Sequence, residues 1–118
     1  MLRIVNFEKA MQKAEELAED KIVKNENADE FVEIGNADGF KMYVTAGKTL
    51  KDKGQIFHEN SRDVFMLILG GEIEFSFEDG EKVILKSNDC FVLPKRKKHK
   101  FVFKKMTIAV EGVYEKRL

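Results

Sequence analysis

The sequence predicts an all-β domain that carries one α-helix at its N-terminal end. Three observations point there. Apolar spacing changes from threes and fours to twos near residue 30. Beyond that point short alternating segments recur, with turn signals about every eight to twelve residues, the habit of a β-sandwich or barrel. The 118 residues suit one domain, which can bury roughly 65% of its unfolded surface without metal or disulfide staples.

The helix is read over residues 7 to 22. Phe7, Ala10, Met11, Ala14, Leu17, Ala18 and Ile22 draw one apolar stripe. Asn6 is placed to cap it, because its side-chain oxygen can accept from an unpaired first-turn N–H. The stripe is narrow and rich in alanine, and its polar face is mixed in sign. Packing on the body of the same protein or a dimer mate is therefore expected, not a membrane surface.

After the polar stretch Lys24–Glu30, Phe31–Gly35 alternates and runs into the turn Asn36-Ala37-Asp38-Gly39. Phe40–Val44 reads as the return strand. Further strands are expected at Gln55–His58, Val64–Leu69, Glu72–Phe77, Lys82–Lys86, Cys90–Leu93, Lys100–Phe103 and Thr107–Val113. Gly70-Gly71, Glu78-Asp79-Gly80 and Ser87-Asn88-Asp89 supply turns between them. The organisation is residues 1–29 as helix and connector, then 30–118 as a β domain, with no internal repeat.

Composition narrows the function classes. There are 21 basic and 21 acidic residues, so global charge does not recruit nucleic acid. No apolar run approaches the roughly 18 residues of a membrane span, and the N-terminus turns charged too soon for a signal peptide. The lone Cys90 excludes an intrachain disulfide and points to a reducing cytoplasm. It sits in an apolar strand, where a thiol usually packs and its thiolate is disfavoured. Abundant Lys and Glu with one proline lean towards a heat-adapted source. Phosphate-cradling glycine loops, Cys-x-x-Cys and serine elbows are missing from the sequence.

The second half carries a more specific pattern. His58-Glu-Asn60 precedes Asp63-Val64-Phe-Met-Leu-Ile-Leu-Gly-Gly71-Glu, and Asn88-Asp-Cys-Phe-Val-Leu-Pro94 leads to Lys-Arg-Lys-Lys-His99. This resembles the two motifs of the cupin superfamily, Gly-x5-His-x-His-x3–4-Glu-x6-Gly and Gly-x5-Pro-x-Gly-x2-His-x3-Asn. In the second, Asn88 takes the first glycine position, Pro94 and His99 match, and Arg96 and Phe103 replace the second glycine and the asparagine. The resemblance covers roughly residues 40 to 113. It implies a cupin-like jelly-roll barrel (a double-stranded β-helix) with the N-terminal helix outside it.

In that family two histidines and a carboxylate of the first motif, with one histidine of the second, commonly hold a divalent metal such as iron, zinc, nickel or manganese. Both histidines of this chain fall at or beside such positions. Two registers stay open. With Gly71 as the motif glycine, His58 is the first histidine, Asn60 replaces the second and Val64 replaces the glutamate. With Gly70, Asp63 becomes the carboxylate, His58 the second histidine, and Ile56 replaces the first. That version offers His58, His99 and Asp63 as a metal set. A bulge at the glycine pair could reconcile the two.

A basic turn, Pro94-Lys-Arg-Lys-Lys-His-Lys100, adjoins the second motif. It reads either as a solvated loop or, from the place the resemblance gives it at the barrel mouth, as an anion-binding edge through Lys95, Arg96 and Lys97. Few aromatic residues are interleaved for base stacking, which argues against nucleic acid. The leading expectation is a binding module that takes a small, anionic molecule in the barrel, with or without a metal, and forms a homodimer. The alternatives are a metal-dependent enzyme of dioxygenase or sugar-isomerase type and a metal-free barrel kept for sensing or dimerisation.

Overall fold

The computed structural model describes residues 3–52 and 54–114. A helix α1 (Phe7–Val23) precedes eight strands: β1 (Ala28–Ala37), β2 (Phe40–Lys48), β3 (Val64–Gly70), β4 (Glu72–Phe77), β5 (Lys82–Lys86), β6 (Cys90–Leu93), β7 (His99–Phe103) and β8 (Thr107–Tyr114). The described strands form an antiparallel five-stranded sheet, β1-β2-β8-β3-β6, and a three-stranded sheet, β5-β4-β7. The two-layer barrel expected from the alternation is present.

The helix begins where its cap allows. Asn6 Oδ1 accepts from the Lys9 N–H at 2.9 Å, satisfying one of the orphan first-turn donors. Ala10, Ala14 and Ala18 are buried against Ala28, Val44 and Ala46, with Val32, Ile34 and Ile108 beside them. Alanine methyls are too short to hold the helix away, so it lies close on the outer face of the β1–β2 end of the larger sheet. The inner layer alternates cleanly. Ile73, Phe75 and Phe77 of β4 are buried while Glu72, Glu74 and Ser76 are less so. With Met66, Ile68, Leu85, Leu93, Phe103 and Ala109 they form the main core.

The glycine pair carries the chain from one sheet to the other. The β3–β8 register shifts between Ile68 and Gly70, and Gly71 follows with φ +94° before β4 starts. Only glycine adopts that conformation at no steric cost.

Two expectations need correction. Gln55–His58 is not a strand; its backbone pairing is one isolated bridge, His58 to His99. A side chain stands in for the ladder there, since Gln55 Nε2 donates to the Phe101 carbonyl at 2.8 Å and Oε1 accepts from the Phe101 N–H at 3.4 Å. Cys90 is exposed and not packed. The edge strand β6 turns Phe91 and Leu93 inward, which leaves Cys90 and Val92 on the outer side. None of the helices is long and apolar enough to cross a membrane, among the described residues.

Candidate functional site

Between the two sheets lies an open-mouthed cavity of about 300 Å³. β7 and β4 build one wall. Their register sets Phe77 beside His99, Phe75 beside Phe101 and Ile73 beside Phe103, so the inward faces of both strands are largely aromatic. β3 contributes Val64 and Met66, β6 Leu93, β2 Thr45 and β8 Glu111; Asp29 and Phe31 of β1 stand at the open side.

His99 is 2% exposed. Its backbone exchanges two hydrogen bonds of 2.9 Å with His58, and the two rings lie 4.4 Å apart, centroid to centroid. Nδ1 lies 2.8 Å from the Lys97 carbonyl, an acceptor only, so this nitrogen carries the proton and Nε2 keeps its lone pair. Burial depresses the His99 pKa, the Lys97 carbonyl partly restores it, and the neighbouring His58 lowers it further. His99 is therefore a neutral imidazole at pH 7. His58 is exposed at the rim, with Asn60 beside it on the cavity wall.

The other expected ligand positions separate. Val64 lines the cavity, whereas Asp63, one residue earlier, is exposed, and its Oδ1 accepts from the Lys95 N–H at 2.7 Å. Ile56 is 83% exposed. His58, Asn60, Val64 and His99 are thus brought together, and Asp63 is not. Strand alternation is the cause, because a step of one residue along β3 moves a side chain to the opposite face. This is the arrangement of the Gly71 register.

A carboxyl pair that sequence reasoning did not single out occupies the β1–β8 side. Glu111 is pushed up to about 7, first by burial and then by the charge of Asp29, with the Thr45 hydroxyl pulling the other way. Asp29 is also raised, by desolvation and by Glu30. Asp29 sits at the rim and remains the better solvated of the two, so the mutual repulsion is expressed on Glu111, which gives up its charge first. Thr45 is 3% exposed, and its Oγ1 makes no hydrogen bond of good geometry although the Glu111 carboxyl is near.

The donor set does not fit a resident divalent metal. Two imidazoles and the Asn60 amide supply no negative charge, and the position that a carboxylate would fill holds Val64. Among the described residues no three His, Cys, Asp or Glu side chains gather as a metal cluster; Asp29 and Glu111 share the cavity but not that corner.

Nor does the basic turn line the cavity. Lys95 and Arg96 are exposed. Lys97 Nζ pairs with Glu81 at 3.0 Å and Asp79 at 3.6 Å, and lies 4.5 Å above the centre of the Phe77 ring. Its charge is spent on the β4–β5 turn. Asn88 and Arg96, the two residues in motif glycine positions, have φ of +73° and +63°. Asparagine tolerates this conformation; arginine there costs about 1–2 kcal/mol. Arg96→Gly is accordingly expected to raise the unfolding free energy by about 1 kcal/mol in urea denaturation, its N–H still bonded to the Asn60 carbonyl.

Comparison with known proteins agrees with this architecture. The family model for the cupin domain matches residues 43–110. No curated protein matches. Among solved structures the chain is similar to a cupin-2 domain containing protein from Shewanella frigidimarina (17% identity, 86% of this chain and 96% of that one, TM-score 0.62). It is similar to KdgF from Halomonas sp. (18%, 76% and 81%, 0.60). Another is protein NMB1881 from Neisseria meningitidis (20%, 74% and 82%, 0.59). Identities this low speak to the fold alone.

Proposed function

Because the chain belongs to the cupin domain family, we propose that it is a binding module that takes a small molecule into the cavity between its two sheets. The carrying observation is the cavity itself: about 300 Å³, walled by aliphatic and aromatic side chains and, in comparable share, by polar groups of Asp29, Thr45, His58, Asn60, His99 and Glu111. The fold alone hosts many activities, so the reading rests on this lining. His99 Nε2 is a fixed acceptor on an otherwise aromatic wall, and it orients a ligand that carries a hydrogen-bond donor. The lining favours a neutral or cationic ligand over the anionic one suggested by the basic turn. Lys95, Arg96 and Lys97 stay outside the cavity, and Asp29 and Glu111 stand in its wall.

Small-molecule screening by NMR, on the wild type and on Val64→Phe, tests the reading. Ligands are expected to shift the resonances of Thr45, His99 and Phe101, and filling the cavity with Val64→Phe should weaken them at least about tenfold. Hits that bind both proteins equally would place binding elsewhere. Loading with iron, zinc, nickel or manganese, followed by elemental analysis, is expected to leave well under one equivalent. Stoichiometric metal that a His58→Ala, His99→Ala double variant loses would replace this reading with a metal-dependent one.

A further inference from the structure

From the β1–β8 side of the cavity we infer that the ligand carries a primary ammonium group, seated between Asp29, Glu111 and the Thr45 hydroxyl on a compact apolar body. The inference rests on the cavity being a binding site, and it specifies the chemistry of what enters. An ammonium has three N–H donors and no acceptor. Here two carboxyl groups and a hydroxyl, all able to accept, face one space from neighbouring strands. Register puts the three side chains on one face of the sheet: Glu111 lies across from Tyr43, two residues to one side of Thr45 on β2, and Asp29 lies across from Gly47, two residues to the other side.

The independent sign is Thr45. Its Oγ1 is buried and, among the described residues, makes no hydrogen bond of good geometry, the Glu111 carboxyl being near but poorly aligned; a donor in the cavity would relieve this. Among the described residues, no Lys or Arg lines the cavity to neutralise the acids. Phe101 and Phe103 border the same space and can pack an apolar or aromatic body. A divalent cation would need a denser oxygen cage than two carboxyls and one hydroxyl. The site suits a monovalent organic cation.

The titratable groups around Glu111 are Asp29 on β1, Tyr43 directly across the ladder on β2, and His58 and His99 elsewhere on the cavity wall; β3 presents Met66. A cation bound there stabilises the ionised carboxylate, so its binding expels the proton that Glu111 holds in the free protein. Affinity then rises with pH through the Glu111 titration.

An isosteric series tests this: benzylamine, benzyl alcohol and benzoate, titrated by NMR against the whole chain at about pH 8. Benzylamine should bind at least about tenfold more tightly than benzyl alcohol, and benzoate more weakly than either. Glu111→Gln should erase the preference for the amine, and the smaller change Thr45→Val should reduce it. Saturating benzylamine should also move the Glu111 carboxyl titration about one pH unit downward, the linkage counterpart of a tenfold preference. If benzyl alcohol binds as tightly as the amine, or if Glu111→Gln leaves the preference intact, the ammonium inference fails while the cavity remains a binding site. If none of the three binds, both readings fail.

Discussion

Replacing Gly71 by alanine is expected to lower the unfolding free energy by about 4 kcal/mol. Two costs add. Alanine at φ +94° pays the left-handed penalty, and its Cβ would fall 2.6 Å from Thr107 Cα and closer to the Met106 carbonyl oxygen. Neither neighbour is a flexible side chain that can swing away. Thr107 is held by its own bonds: its one hydroxyl proton is shared between the carbonyls of Lys105 (2.9 Å) and Glu72 (3.1 Å), and Oγ1 accepts from the Glu72 N–H at 3.1 Å. Denaturant unfolding of Gly71→Ala beside Gly70→Ala separates the causes. Among the described residues no atom lies within 4 Å of where a Gly70 Cβ would stand, and that change should cost about 1 kcal/mol or less. Equal losses at the two positions would mean that the close approach of β3–β4 to β8 is not what the glycine serves.

The second large effect has the opposite sign. Glu111→Gln is expected to stabilise the fold at pH 8 by up to about 3 kcal/mol and to leave it nearly unchanged at pH 4.5. The folded protein keeps the Glu111 proton up to about 7, whereas the unfolded chain releases it near 4.5. Between those values the native state binds more protons, so wild-type stability falls as pH rises through the window and stays lower above it. A glutamine has no such window. Asp29, raised from 3.8 but more exposed, adds a smaller slope of the same sense. His99 works the other way: its pKa is depressed below 6.5, so its contribution is complete above 6.5 and is lost as pH falls through the depressed value. Removing Glu111 should therefore expose the His99 slope, with the variant gaining stability as pH rises from the depressed His99 value towards 6.5, where the wild type is flat or declines. Urea midpoints at several pH values read this directly. A variant that tracks the wild type at every pH would show that Glu111 is ionised at no cost in the folded state.

Much of the architecture was legible because it depends on local rules. Asn6 announced the helix, and alternation gave Glu72–Phe77, Lys82–Lys86 and Cys90–Leu93 their bounds as observed. Gln55–His58 misled because its pairing is carried mainly by a glutamine side chain, which leaves no periodic trace. Asp63 drew attention as a carboxylate near His58, but chemistry does not reveal parity, and Val64 is the neighbour that faces inward. The site was half visible. Its histidines stood out by scarcity, while Glu111 and Asp29 were two among 21 acids. A signal for Glu111 did exist: it shares the parity of Thr107 and Ala109 in an otherwise apolar strand, and a charge on the inward side of such a strand needs a reason. Asp29 had none, since Glu111, two strands away in the same sheet, comes from the far end of the chain.

The middle of β2 belongs to two interiors at once. Val44 and Ala46 press against the alanines of α1, and Thr45, between them, forms part of the pocket wall. Close-packed interiors pass strain on instead of absorbing it. Sequence drift in the helix is therefore not independent of drift in the pocket: a larger residue at Ala14 would displace β2 and carry Thr45 with it. Substitutions on the outer helix and on the cavity side of β2 should be tolerated in pairs more often than singly. The helix outside the barrel thus enters the evolutionary history of the cavity without lining it.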